Sequence, residues 1–390
     1  MNIAVLTSLY PSPPRPREGI FAERRWRGMR ERGHSVRVIH PQPRTPGPLA
    51  IGSWDEIRRM PAEESRAGIE VQRPRYLHLP RRARRNAKRF ARVGVRELLA
   101  RARPDIAVLD YAWPAAEAAP LLEAQRIPCV VHGRGSDVLQ VAGEAGLGDE
   151  LARCLVAAGH WCAVSLDLVR AMDGLAGAPG RGRLTPNGVD LERFHPGGRR
   201  EARERLPLEG DAPLVLVVGH LIERKDPLLA LEAFARGAPS GARLVFVGRG
   251  PLADEVVARA RGLGVSARVL LRGEAPPDEL AEWYRAADLL LLTSRREGRP
   301  NVVLEALASG LPVLATEAGG TGELLEPFAS RLLVRGRDPE ELARRLGSLL
   351  EAPPPPEELR ASVAHLSWDA CLAELERVLA EALGGGGERR

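Results

Sequence analysis

Short runs of aliphatic residues recur along this chain, several of them separated by stretches of helical spacing, and the recurrence starts afresh halfway along. The first set is IAVLT (3–7), VRVIH (36–40), DIAVLD (105–110), PCVVH (128–132) and WCAVS (161–165). The second is LVLVVGH (214–220), RLVFVGR (243–249), RVLLRG (268–273), DLLLLTS (288–294) and PVLAT (312–316). Continuous apolar runs of this length suit strands buried on both faces, and their alternation with helices predicts parallel, doubly wound sheets. An α/β chain of two such halves is expected. The polar stretch 197–211 marks the boundary, so the domains are expected over 1–196 and 197–365. Beyond a Pro-rich break at 353–356, SWDACLAELERVLAEAL (367–383) has helical apolar spacing and predicts a final helix over 366–384. The glycine-rich end, 385–390, reads as disordered. The Pro-rich segment 41–48, continuing to about residue 68, reads as a long loop with at most short structure.

At 390 residues with 44% hydrophobic content the chain can bury two cores. No run approaches the roughly 18 apolar residues of a membrane span. The opening MNIAVLTSLYPS reads as a first strand rather than a signal peptide, so a cytoplasmic location is expected. Cys129, Cys154, Cys162 and Cys371 lack metal-ligand spacing and read as free core thiols. Of 57 basic residues, only Lys88 and Lys225 are lysines, so a lysine that survives this bias toward arginine draws notice. Residues 1–195 hold 31 basic against 21 acidic residues, and the remainder 26 against 30, so the basic excess belongs to the first half. It is densest over 81–104, where Phe90, Val93, Leu98 and Leu99 form a narrow apolar stripe on a cationic helix. Such a helix can lie against anionic lipid at the inner face of a membrane, grip an anionic substrate, or simply be a solvated face. Nucleic acid is disfavoured, since no stacking aromatics are interleaved.

The segment RREGRPNVVLEALASGLPVLA (295–315) sets Glu297 and Glu305 eight positions apart across a strand-to-helix turn. Gly298 loosens the turn, and Pro300 stands where a first helical residue belongs. Backbone N–H groups at the helix start, near Pro300, Asn301, Val302 and Val303, would face an anion such as a diphosphate. The spacing keeps the two carboxylates from sharing a metal, and suits hydrogen bonds to hydroxyls on either side of a bound phosphate.

In this context the segment resembles the family-four retaining glycosyltransferases of the GT-B fold, whose pattern is Glu, seven residues, Glu, a small-residue helix and a GLPVLA-type strand. Glu297, Gly298, Pro300, Asn301, Glu305, Ala306, Gly310, Pro312 and Val313 match it. The resemblance implies two Rossmann-like domains facing across a cleft, with the final helix crossing back to the first. It implies that Glu297 binds donor-sugar hydroxyls and Glu305 the ribose, and that Lys225, in GHLIERKDPLLALEAF (219–234), neutralises the donor diphosphate. The family often has Arg directly after the strand glycine. Here that residue is His220, and Arg224 is expected to supply the second cation. His132, in HGRGSD (132–137), is expected to contact the donor sugar or reacting centre. Donor contacts are also implied for Gly19, in REGIFAERRWRGM (17–29), for Gly248 and Gly250 in GRGPLA (248–253), and for Arg272. The GIF and HGRGSD segments look most like the branch with teichuronic-acid and polysaccharide transferases. NGVDLERFHP (187–196) matches a family turn in which Asn-Gly supplies positive backbone angles.

GRGPLA also fits the G-x-G-x-x-A form of a dinucleotide fingerprint and raises an NAD(P)-dependent oxidoreductase as a rival. That fingerprint normally opens its domain, whereas this one sits on the second strand and lacks an acidic ribose ligand at the next strand end. No Asp-x-Asp or ligand-spaced His/Cys/carboxylate cluster occurs, so metal-independent transfer is expected. The expectation is a transferase that needs no cofactor and moves a sugar from a UDP- or GDP-sugar to a saccharide or lipid-linked acceptor in cell-envelope or polysaccharide synthesis. A GT-B nucleotide-sugar epimerase is the alternative.

Overall fold

The computed structural model describes residues 1–16, 18–44, 53–206, 208 and 210–384. The glycine-rich tail 385–390 and the middle of the Pro-rich segment, 45–52, lie outside the described residues. The chain forms two compact units, one of residues 1–187 with 368–390 and the other of residues 188–367.

The strands in chain order are β1 (Asn2–Thr7), β2 (Ser35–Ile39), β3 (Gln42–Arg44), β4 (Glu63–Arg66), β5 (Ile69–Gln72), β6 (Arg75–Leu77), β7 (Ile106–Asp110), β8 (Cys129–Gly133), β9 (Trp161–Ala163) and β10 (Arg183–Leu184) in the first unit. The second unit has β11 (Leu214–Val218), β12 (Arg243–Val247), β13 (Val269–Gly273), β14 (Leu289–Leu292), β15 (Val313–Thr316) and β16 (Leu333–Val334). Among the described residues, the first unit's main sheet runs β10-β9-β8-β7-β1-β2-β5-β4. Its pairs are parallel except β4 with β5. That hairpin departs from the all-parallel expectation. Its tip is Ala67 and Gly68, both at positive φ as a two-residue primed turn requires, and an alanine there gives little sequence signal. The second sheet runs β13-β12-β11-β14-β15-β16 and is parallel throughout.

In each of the two large sheets the order of the parallel strands reverses at one place. β1 lies between β2 and β7, and β11 between β12 and β14. Loops leaving the carboxyl ends of the strands on either side of such a reversal diverge and leave room for a ligand. The loops after β11 and β14 carry Lys225 and Glu297.

Residues 188–196, expected in the first domain, pack with the second unit. The Arg360 guanidinium donates to the carbonyls of Phe194 at 2.8 Å, Leu191 at 3.0 Å and Ala308 at 2.8 Å, and Phe194 packs edge-on against Tyr284. Neither Asn187 nor Gly188 takes a positive φ. The Asn187 side chain instead accepts a bond from Arg25 at 3.0 Å, and Val189 N bonds to Leu366 O, so the segment is extended rather than a tight turn. The closing Trp368–Gly384 helix belongs to the first unit, where Leu372, Leu375, Val378 and Leu379 join Trp26, Met29 and Val130 in one core.

The cationic Ala83–Leu99 helix turns Phe90, Ala91, Val95 and Leu98 into the first unit's other core. Most of its apolar stripe is used internally. Arg81, Arg82, Arg84, Arg85, Arg92 and Arg96 face solvent.

In the second unit the Pro227–Gly237 helix, which follows directly on Lys225 and Asp226, crosses the Pro339–Glu351 helix with backbone against backbone at Gly237. A methyl on Gly237 would strike the Ala343 carbonyl group, which has no flexible end to yield. Gly237→Ala is therefore expected to lower stability by about 1–3 kcal/mol in urea denaturation. Gly241→Ala, whose methyl meets nothing within 4 Å, should stay within about 0.5 kcal/mol of the parent.

Candidate active site

The second unit's site is built on the switch between β11 and β14. Gly219 leaves β11 at φ 142°, and the loop that follows ends at Asp226, a non-glycine residue held at φ 46°. Local bonds enforce that conformation. Asp226 caps the next helix through Leu229 N at 3.4 Å, accepts from Arg295 at 2.8 Å, and is bonded by Arg337, while its carbonyl accepts from the Thr293 hydroxyl at 2.8 Å. Arg295 N donates to Arg224 O at 2.8 Å, joining this loop to the end of β14. Lys225 thereby meets Glu297. Its Nζ lies 2.5 Å from Oε1, and the Arg224 guanidinium reaches Oε2 at 3.4 Å. Glu297 is only 7% exposed, so this carboxylate relies on both cations. A recess lined by Gly219, His220, Leu221, Lys225 and Thr293 adjoins them.

Gly298 accepts a bond from Gly320 N at 3.0 Å, and a side chain at Gly319 would run into the Glu297 carbonyl. Pro300 is the N-cap, with φ −74° and ψ 113°, so the helix begins one residue later than expected, at Asn301. Val303 N bonds back to Pro300 O at 3.2 Å. Asn301 and Val302 form the first turn, and Glu305 lies one turn in, where it accepts from the Tyr284 hydroxyl at 2.9 Å. Burial, reinforced by Glu305, raises Tyr284 well above the usual phenol range, so it stays a donor.

Gly248 and Gly250 allow the loop after β12 to lie on the loop after β11. A methyl on Gly248 would overlap the Gly219 carbonyl, and one on Gly250 the Leu221 carbonyl, while Leu252 N donates to Leu221 O at 3.0 Å. This loop follows β12, off the domain's opening strand β11, which is the wrong place for a dinucleotide fingerprint. Arg272 is engaged by Glu279 at 2.7 Å, and Trp283 Nε1 donates to that same carboxylate at 3.0 Å.

In the first unit Gly19, at φ 74°, starts the Ile20–Glu31 helix against Leu9 and Tyr10 with no space for a Cβ. The His132 side chain is 1% exposed, closed in by its own unit's residues. Nδ1 bonds to Asp110 Oδ1 at 2.8 Å and Nε2 to an Arg25 N–H at 3.3 Å. Asp110 also accepts from Trp26 Nε1 at 2.8 Å. Burial pushes the Asp110 carboxyl up, but Arg134, His132 and Arg25 outweigh it and hold the group far below the usual range. Burial and Arg25 lower His132 to about 4 against the opposing pull of Asp110. A Cβ on Gly133 would meet Met172 and Val138, and Ser165 caps the following helix through Leu168 N.

Several site residues escape sequence reading. Asp226, directly after Lys225, is held by Arg337, Tyr284 supports Glu305 from another element, and Arg25 and Asp110 flank His132. The one available signal was Asp110 at a buried strand end. Among the described residues no group of three or more His, Cys, Asp or Glu side chains gathers in a metal-ligating arrangement, and no helix is long and apolar enough to cross a membrane.

Two sheets of this construction, with a switch-point site of paired cations and glutamates, define a GT-B glycosyltransferase. Residues 22–193 match the model of Glycosyltransferase Family 4 and residues 198–364 that of Glycosyl transferases group 1, and the chain belongs to glycosyltransferase family four. It is 29% identical over 355 residues to the teichuronic acid biosynthesis glycosyltransferase TuaC of Bacillus subtilis, a match covering 89% of this chain and 88% of that one. It is 37% identical over 226 residues to the D-inositol 3-phosphate glycosyltransferase of Acidothermus cellulolyticus, matching 54% of this chain and half the length of that relative. The structure of Anabaena HepE in complex with UDP and glucose superposes with a TM-score of 0.75 at 18% identity, over 98% of this chain and all of that one.

His132 titrates from 6.5 when unfolded to about 4 when folded, and His40, buried beside Arg73, falls to about 3. Below pH 6.5 the unfolded chain takes up protons that the folded one refuses, so stability is lost as pH falls toward 4. For His132 alone the loss is on the order of 3 kcal/mol. The Asp137 carboxyl, raised to about 6 by burial, shifts stability in the opposite sense over this range, so the histidine contribution is read by difference: in urea denaturation at pH 7, 5.5 and 4 the parent should lose more stability than His40→Gln, and parallel profiles would contradict the buried neutral His40.

Proposed function

We propose that this enzyme transfers a sugar, with retention of configuration and without a metal, from a UDP- or GDP-sugar to an anionic or lipid-linked saccharide acceptor. The observation that carries this reading is the convergence of Lys225 and Arg224 on the buried Glu297 carboxylate. A donor diphosphate entering there meets two cations already fixed in place, so charge growing on the departing phosphate is stabilised without reorganisation. Glu297 then takes donor-sugar hydroxyls and Glu305, backed by Tyr284, the ribose. The amides of the first turn, Asn301 and Val302, add partial positive charge toward the phosphates. In front-face substitution the leaving phosphate itself accepts the acceptor's proton. No protein carboxylate is then needed as nucleophile, which suits a glutamate already held by two cations.

Of the two nucleotides, UDP is favoured because HepE was solved with UDP and glucose. For the acceptor, the exposed arginines of the 81–96 stretch favour an anion. Since the apolar face of that helix is packed inward, contact with an anionic membrane or acceptor would be electrostatic and would weaken with salt. A cytoplasmic site of action, peripheral to the membrane, follows from this reading.

In a thermal-shift comparison of UDP-, GDP- and ADP-sugars, a UDP- or GDP-sugar should stabilise selectively, with the shift unchanged by EDTA. Lys225→Ala is expected to lower kcat by about 10²–10³ while costing about 1–2 kcal/mol of stability. Normal transfer by that variant would sink the assignment.

A further inference from the structure

Arg25 is a buried guanidinium with, among the described residues, no carboxylate in hydrogen-bonding contact. It is 1% exposed, and Nη2 donates to Thr185 O at 3.1 Å, Pro186 O at 3.2 Å and Asn187 Oδ1 at 3.0 Å. Its other terminal nitrogen, Nη1, donates to His132 Nε2 at 3.3 Å. Guanidinium nitrogens cannot accept hydrogen bonds, so Nε2 must carry a lone pair. On the opposite side of the ring, Asp110 accepts from Trp26 Nε1, from Tyr111 N at 3.1 Å and from Arg134 at 3.4 Å, as an ionised carboxylate does. Nδ1 must therefore carry the ring proton. Two independent contacts fix one tautomer.

A buried carboxylate against Nδ1 by itself favours the imidazolium. Arg25 opposes that tendency with a like charge on the second nitrogen. We propose that Arg25 is a positioning residue for the sugar-transfer site: it keeps His132 neutral, with Nε2 as a hydrogen-bond acceptor, and ties that state to the 185–187 segment at the edge of the first unit. His132 would then meet a substrate hydroxyl as an acceptor, once the Arg25 N–H gives way to it. The proposal rests on the expectation, carried by the family resemblance, that His132 contacts the donor sugar or reacting centre, but the state of the ring can be read without any transfer reaction.

The groups that bear on the ring come from each element packed around it. They are Arg25 on the Ile20–Glu31 helix, Asp110 on β7 and Arg134 in the loop after β8, while the thiols of Cys162 on β9 and Cys371 on the closing helix bear on Arg25. Burial raises the Cys162 thiol to about 11, so it remains uncharged. Arg25 itself, lowered by burial to about 10, stays protonated at neutral pH.

The test uses the full chain with 15N-labelled histidine, the His132 signals being assigned by comparison with His132→Gln. Long-range proton–nitrogen correlation should show the Nδ1–H tautomer, and a titration should leave the ring neutral down to about pH 5. In Arg25→Gln, which keeps an N–H donor but loses the charge, the midpoint should rise by about one unit or more, and Arg25→Lys should restore it. A wild-type ring in the Nε2–H form, or protonated at pH 7, overturns the proposal. So does a midpoint in Arg25→Gln that matches wild type. Should Arg25→Gln fail to fold, the wild-type tautomer and the Arg25→Lys titration still decide. If the ring behaves as expected while His132→Gln transfers sugar normally, the role of His132 in transfer fails and that of Arg25 toward the ring stands.

Discussion

A carboxylate removed from water has to be compensated by charge, and Glu297 is compensated from a loop 72 residues earlier in the chain. Most of the second unit's architecture makes that contact possible. β11 and β14 must be neighbours for the two loops to meet, Gly219 and Asp226 must bend the first loop, and Gly319 must leave the Glu297 carbonyl unobstructed. On the proposed role, a donor diphosphate approaching these cations would find them already oriented by the carboxylate. The contact would then have a double use, as an internal salt bridge and as a preorganised electrostatic site.

The first unit solves a similar problem with different chemistry. Asp110 is buried at the end of β7, and its charge is met by Trp26, His132 and Arg134, with Arg25 one ring further away. Guanidinium, imidazole and carboxylate form a line in which the ring separates the two formal charges. Each member is held by a different element, so the line also records how the Ile20–Glu31 helix is seated against β7 and β8.

What the sequence made legible follows period and local chemistry. Buried strands announce themselves by continuous apolar runs, and all ten strands expected from such runs are found. β10 and β16, two residues each, carry too few residues for any period, and β4 with β5 turns on an alanine at positive φ. Lys225, Arg224 and Glu297 were readable because they stand in local motifs. Their meeting was a tertiary fact. Tyr284 was invisible because nothing local to a buried aromatic says that its hydroxyl will serve Glu305. Arg25 and Arg337 were hidden by composition: in so arginine-rich a chain, one more arginine on a helix or a loop carries no signal. The division between units fell about ten residues before the expected one, because a polar stretch marks exposure, whereas the contacts of Phe194 and Arg360 decide which core a segment joins.

The scarcity of lysine has a chemical consequence once Lys225 is located. Apart from the α-amino group, the chain offers two primary amines, one at Lys88, 46% exposed and paired with Glu150, the other at Lys225, 17% exposed and against Glu297. An amine-directed acylating reagent has almost nowhere else to go, and the two sites differ in exposure and in partner. On the proposed role of Lys225, occupancy of the sugar-nucleotide site would change the reactivity of a single identifiable nitrogen, and the enzyme would carry its own covalent footprinting probe.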